Sequence, residues 1–191
     1  MKTKKSKTRT TAVKTKSVPK QKTASAHPPA ASPEIQLITP FLWFDKDAEN
    51  AANFYCSIFP NSKIAKITRN GEAGAGPVGS VLMVEFLLNG QQFYAMNAGS
   101  GNEFTDAISL LVHVRTQEEL DYYWSKLTDG GKEVACGWLK DKYGLSWQIT
   151  PIALIKMISD PNPKKADRAM KAMMEMVKLN IPALEKAFGG K

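Results

Sequence analysis

Apolar positions along the chain alternate between a strand-like and a helical period, and the same order occurs twice. Thr39-Pro40-Phe41-Leu42-Trp43-Phe44 is an apolar run, and a helical pattern from Asp47 to Phe59 follows it. That pattern sets Ala48, Ala51, Tyr55 and Ile58/Phe59 on one face. Ser109-Leu110-Leu111-Val112-His113-Val114 is a second such run, and Gln117 to Leu127 repeats the helical period through Leu120, Tyr123/Trp124 and Leu127. At an offset of seventy residues Thr39 falls on Ser109, Phe44 on Val114 and Phe54 on Trp124. A duplicated strand-helix-strands unit is expected, with two similar half-sites facing each other.

The remaining pattern fills in both units. The first strand is expected over Gln36–Phe44 and the second over Lys63–Thr68, with Asp45 or Asp47 capping the helix between them. Asn70 to Gly79 is Gly-rich and reads as a loop. Ser80–Leu88 and Gln92–Asn97 predict a hairpin across Asn89-Gly90, and Ala98–Asn102 predicts a further loop. The second unit continues from Ala107–Val114 to strands at Lys132–Cys136, Trp138–Lys140 and Leu145–Ile149. Pro151–Ile158 and Pro163–Val177 predict helices with proline in the first turn. Met170, Met173, Met174 and Val177 form a stripe that suits core packing or a dimer face better than a cofactor site.

Charge changes this picture only at one end. The net charge is +8, but residues 1–34 hold nine basic residues and one acid, which leaves seventeen of each in the rest of the chain. That lysine-, threonine- and proline-bearing tail holds no aromatic residue. It is expected to be disordered, because it cannot offset the entropy of being fixed. Loose contact with nucleic acid is conceivable for such a tail, but nothing in it could stack on bases. No run is long enough to span a bilayer and no signal-peptide pattern opens the chain. With only Cys56 and Cys136 there is no disulfide framework, so a cytoplasmic setting is expected.

Candidate chemistry follows from strand parity. Thr39, Phe41 and Trp43 share one face, as do Phe93, Ala95 and Asn97. Ser109, Leu111 and His113 share another, and so do Ser146 and Gln148. If these faces line a cleft, it is apolar and aromatic with amides and hydroxyls in its floor, which suits a small hydrophobic ligand. His113 has no evident pairing acid and is expected half-buried with a backbone partner. Cys56 reads as an inert core thiol. Cys136 has no identifiable neighbouring cation to activate it. Glu85 is expected to face solvent or a cross-strand cation. Trp138 and Trp147 could each wall the ligand or pack inside.

Ile38 to Asp45, Ala48 to Tyr55 and above all Cys136 to Ile149 resemble the PhnB-like branch of the glyoxalase, or vicinal-oxygen-chelate, superfamily, often labelled demethylubiquinone-methyltransferase-like. Val84-Glu85-Phe86, Met96 to Gly99, Ser159 to Pro161, Met170 to Met176 and Ile181 to Ala187 fit as well, so the resemblance spans roughly residues 36–188. It implies an α+β fold of two βαβββ modules forming a U-shaped half-barrel, plus C-terminal helices, in a homodimer. The domains follow as a tail at 1–34, modules at 35–103 and 104–150, and a packed helical extension at 151–191.

The superfamily binds a divalent metal through His, Gln or Glu at positions that fall here on Thr39, Asn97, Ser109 and Gln148. None is a carboxylate or an imidazole, so the metal position is expected to be vacant and no cofactor is expected. The pocket candidates are Thr39, Phe41, Trp43, Asn97, Ser109, His113, Trp138 and Gln148. Metal-independent capture of a small hydrophobic or aromatic compound is the leading expectation. The alternatives are an enzyme of the same superfamily, with its catalytic residues unassigned, or methyl transfer as the family label suggests. The glycines at 71, 74, 76 and 79 lie between two strands and not before a helix, which speaks against a methyl-donor turn.

Overall fold

A computed structural model describes residues 36–190; the basic segment expected to be a disordered tail lies outside the described residues. Module one runs β1 (Phe41–Phe44), α1 (Ala48–Ile58), β2 (Lys63–Arg69), β3 (Val81–Leu88) and β4 (Gln91–Asn97). Module two runs β5 (Leu110–Val114), α2 (Gln117–Leu127), β6 (Lys132–Glu133), β7 (Trp138–Lys140) and β8 (Ser146–Pro151). Three helices follow: α3 (Ile152–Ile158), α4 (Pro163–Met174) and α5 (Ile181–Gly189). The sheets have the orders β1-β4-β3-β2 and β5-β8-β7-β6. In each, the first and last strands pair in parallel and the other neighbours pair antiparallel. The fold is the expected α+β duplication of a βαβββ unit with C-terminal helices.

Local chemistry explains most boundaries. Asn89 and Gly90 both adopt positive φ, 47° and 82°, as a two-residue hairpin turn between β3 and β4 requires. Thr116 caps α2, accepting from the Glu119 amide, while the Glu119 carboxylate accepts from the Arg115 amide. The first strand is shorter than expected. Leu37 and Ile38 are 99% and 84% exposed and belong to no strand, because apolar side chains without a packing surface do not extend a ladder.

The two modules meet through their helix-bearing sides. Tyr55 on α1 stacks on Phe86 of β3 and also packs against Trp147 of β8. Phe59 stacks on Trp147 and on Tyr123 of α2. At the centre lies Asp141, 3% exposed. One of its carboxylate oxygens accepts from the Tyr55 hydroxyl and the Trp147 indole, both at 2.8 Å. The other accepts from the amides of Tyr143 and Leu145. Burial raises the Asp141 carboxyl above its ordinary value, against the four donors, which act to lower it.

The C-terminal helices pack onto module two. Leu154, Leu179 and Leu184 are buried, and Gly137 donates its amide to the Val177 carbonyl. Met170, Met174 and Val177 of the expected stripe are exposed, while Met173 packs against the core.

Candidate functional site

The register of each sheet decides which side chains reach the face not covered by helices. In module one Phe41 pairs with Tyr94 and Trp43 with Met96, while Met83 pairs with Met96 and Glu85 with Tyr94. These residues occupy the open face of the sheet. Their neighbours Leu42, Phe44, Val84, Phe86, Phe93 and Ala95 are buried on the α1 side. Phe41 and Trp43 are 51% and 38% exposed. Phe41 stacks on Tyr94 at 5.9 Å, and the Trp43 indole donates to the Gly99 carbonyl. Thr39 lies just before β1, its hydroxyl donating to the Gln36 carbonyl.

Asn97 departs from expectation. It shares a face with Phe93 and Ala95, as parity required, but that face packs on α1 and does not line an open cleft. Its Oδ1 accepts the Ala48 amide at 2.8 Å and its Nδ2 donates to the Val81 carbonyl. Asn97 therefore caps α1 from β4. Asp47 sits at the N-cap position, but its side chain caps nothing, and Asp45 is not the cap either. Tyr94, the partner of Phe41, corresponds by register to Gln148, the partner of Leu111.

In module two the open face carries Leu111, His113, Gln148 and Trp138, with Leu111 and Trp138 both paired to Gln148. The Gln148 side-chain amide donates to the Ser109 hydroxyl at 2.8 Å. Ser146 shares that parity but is buried, donating to Asp106, which also pairs with Lys140 at 3.0 Å. His113 is exposed rather than half-buried, on β5 at the edge of its sheet. The two tryptophans divide: Trp147 is core and Trp138 is on the open face.

The contact between modules runs through Tyr55, Phe59, Tyr123 and Trp147 on the helix-bearing sides. Ser109 and His113 also edge a groove of about 390 Å³ floored by Phe59, Phe93, Tyr123 and Trp147. Asn97 bonds to Ala48 and Val81, Thr39 to Gln36, and Gln148 to Ser109, so among the described residues no hydrogen bond joins Thr39 and Asn97 to Ser109 and Gln148. Sequence parity alone missed Tyr94, Met83 and Met96; the pairing of Phe41 with Tyr94 would have been the signal.

Donor chemistry tests the fit to a metal. Among the described residues no group of three or more His, Cys, Asp or Glu side chains is placed to hold an ion. The open face of module one offers Glu85, already 3.9 Å from Lys66, and that of module two offers His113. The rest are neutral hydroxyls and amides, which are weak ligands without an anionic partner. These residues do not fit the metal centre that the superfamily implies. Cys56 is shielded, burial raising its thiol pKa, and both cysteines are free.

Comparison with known proteins agrees with this architecture. The family described as 3-demethylubiquinone-9 3-methyltransferase matches residues 36–150. No curated protein matches. A solved PhnB protein of Bacillus cereus, named for 3-demethylubiquinone-9 3-methyltransferase, is 41% identical, covering 61% of this chain and 99% of its own, with a TM-score of 0.56. A Pseudomonas aeruginosa protein is 15% identical over 60% of this chain and 96% of its own, with a TM-score of 0.52, a likeness of fold. The fosfomycin resistance protein FosX of Mesorhizobium loti is 12% identical over 59% of this chain and 88% of its own, with a TM-score of 0.44.

Proposed function

The chain belongs to that family, the PhnB-like branch of the glyoxalase superfamily, and from this premise we propose that it captures a small hydrophobic or aromatic compound without a metal, in a cleft completed by a second copy. One observation carries the reading: both sheets present an uncovered face, one aromatic and one edged with hydrogen-bonding groups. Phe41, Trp43, Tyr94 and Met96 supply an apolar surface on one module. Leu111 and Trp138 supply less on the other, beside the Gln148–Ser109 pair. Half-exposed aromatic side chains in register are a surface that gains by burial against a partner or a ligand. A homodimer that sets module one of one copy against module two of the next brings the two kinds of surface together.

The occupant that suits such a cleft is a flat, mostly apolar molecule with one or two polar atoms for the amide and hydroxyl to orient. The family description names methyl transfer. Residues 71–79 join β2 to β3, so their glycines do not form the strand-to-helix turn that a doubly wound methyl-donor site uses. Two free thiols suit a reducing compartment, and a cytoplasmic location is part of the reading. Among the described residues no helix is long and apolar enough to cross a membrane. The basic tail carries no part of it.

The test uses the full chain. Light scattering is expected to give a dimer. With 1-naphthol as probe, the melting temperature is expected to rise saturably and to be unchanged by EDTA. Leu111→Glu is expected to lower both the dimer fraction and the shift. A tightly held stoichiometric divalent ion whose removal abolishes binding would overturn the proposal, as would a monomer that ignores aromatic probes.

A further inference from the structure

Module one holds a second cavity, of about 700 Å³, between the first turn of α1, the loop of residues 70–80 and the adjoining ends of β3 and β4. Pro77, Val81, Leu82 and Met96 give it apolar walls, and Asp45, Lys46 and Glu49 line it from the α1 side. The charges nearly balance, since Lys46 accompanies Asp45 and Arg69 lies 3.8 Å from Glu49. A cavity so arranged makes no strong demand for an ion.

Asn70 is part of its lining and is 7% exposed. Its backbone is fully used: the amide donates to the Ser80 carbonyl and the carbonyl accepts from Gly79, both at 2.8 Å. Its Nδ2 donates to the Ser80 hydroxyl at 2.9 Å. That hydroxyl donates in turn to the Pro77 carbonyl, so it can only accept from Asn70, which fixes the orientation of the carboxamide. Among the described residues Asn70 Oδ1 is the one buried side-chain polar atom with no hydrogen-bond partner. Folded proteins leave few such atoms, because the lost solvation is not repaid.

The Gly-rich turn is fitted around this group. A Cβ at Gly74 would stand 2.5 Å from Asn70 Oδ1, and one at Gly76 would stand 2.7 Å from its Nδ2. The bare backbone of residues 74–76 thus lies against the carboxamide, beside the Ala75–Pro77 stretch that walls the cavity. Displacement of this turn would open Oδ1 to the cavity that Asn70 lines.

We propose that this cavity is a second binding site, for a small neutral molecule with an apolar body and one hydroxyl or amide hydrogen that donates to Asn70 Oδ1, the turn at residues 71–79 closing over it. The site shares only Met96 with the open faces, so either reading can fail alone.

The test is nuclear magnetic resonance on the labelled full chain with phenol and anisole, which share a ring but differ in the donor. Phenol is expected to shift the Gly74 and Gly76 amides and the Asn70 side-chain amide saturably, and anisole to bind about tenfold more weakly. Asn70→Ala is expected to erase that difference. Ala98→Leu, which leaves Asn70 in place, is expected to weaken phenol by narrowing the cavity. Equal affinity for the two probes would overturn the proposal. So would shifts confined to Trp43 and Gln148, or a resident water on Oδ1 that phenol does not displace.

Discussion

The two modules share an element order but start their helices by different means. In module two the cap is local: Thr116 accepts the Glu119 amide, the Glu119 carboxylate accepts the Arg115 amide, and a short sequence signature encodes both. In module one the cap arrives from β4, where Asn97 accepts the Ala48 amide from forty-nine residues away. The register position that matches Asn97 in module two is Pro151, which pairs with Val114 as Asn97 pairs with Phe44. Duplication preserved the strand plan and left each half free to solve its helix terminus separately. Asn97, which the sequence places in a cleft, is a structural bracket, and in one half only.

The contrast extends to the faces. Module one turns an aromatic surface outward, while module two turns out a hydrogen-bonded amide and hydroxyl. The modules are joined by a third kind of surface, the aromatic cluster around Asp141. Removing its keystone is the most severe way to break the comparison. Asp141→Ala orphans two backbone amides, the Tyr55 hydroxyl and the Trp147 indole in a buried setting. We expect a loss of about 3–5 kcal/mol, read by urea denaturation, with both modules affected together. Asp141→Asn is expected to lose about 2 kcal/mol, since a carboxamide has one acceptor atom and cannot serve both the side-chain pair and the backbone pair of donors. The two proteins also differ in pH response. The Asp141 carboxyl is raised in the folded chain, so the stability it contributes is complete below the ordinary carboxylate value and falls as pH rises through the raised one. The advantage of Asp141 over the Asn variant is therefore expected to narrow as pH climbs from the acid side, and a constant gap would contradict the assignment.

Next in size are the helix caps. Asn97→Ala is expected to cost about 1–2 kcal/mol and Thr116→Ala about 1 kcal/mol. Hydrogen exchange sharpens the difference between them. The Asn97 variant is expected to loosen α1 together with the start of β3, because its amide also holds the Val81 carbonyl. The Thr116 variant is expected to loosen only α2. Equal and local effects would mean that the long-range cap is no cap at all.

How much of this was legible follows the same division. Periodicity fixed the twin strand-helix units, because Ala48, Ala51 and Tyr55 or Leu120, Trp124 and Leu127 recur at helical spacing and are buried accordingly. Parity correctly grouped Phe93, Ala95 and Asn97, but alternation alone does not say which group faces the helix. An asparagine ending an apolar strand resembled a cleft residue when it was a cap. Asp141 falls in the turn between β7 and β8, the Gly144 amide donating to its carbonyl. Its larger role depends on Tyr55, eighty-six residues away, and no local pattern carries that pairing. The mutual orientation of the modules was invisible for the same reason: it is set by aromatic contacts between α1 and β8, not by any single segment.

The smallest expected effect on stability is the most informative about function. Trp43→Phe on the open face of module one removes an indole that is 38% exposed and bonded only to the Gly99 carbonyl. Such a change is expected to alter unfolding by no more than about 0.5 kcal/mol. Gln148→Ala on the other face loses one partly buried bond to Ser109 and is expected to cost about 1 kcal/mol. If the cleft is shared between copies, each change weakens 1-naphthol binding, and mixing the two variants produces some dimers in which one cleft carries both defects and the other carries neither. The mixture then recovers a fraction of sites with wild-type affinity, which neither variant shows alone. A mixture that binds as the simple average of its components would show that each face works within its own chain, and the division of labour between the modules would have to be drawn inside a single copy.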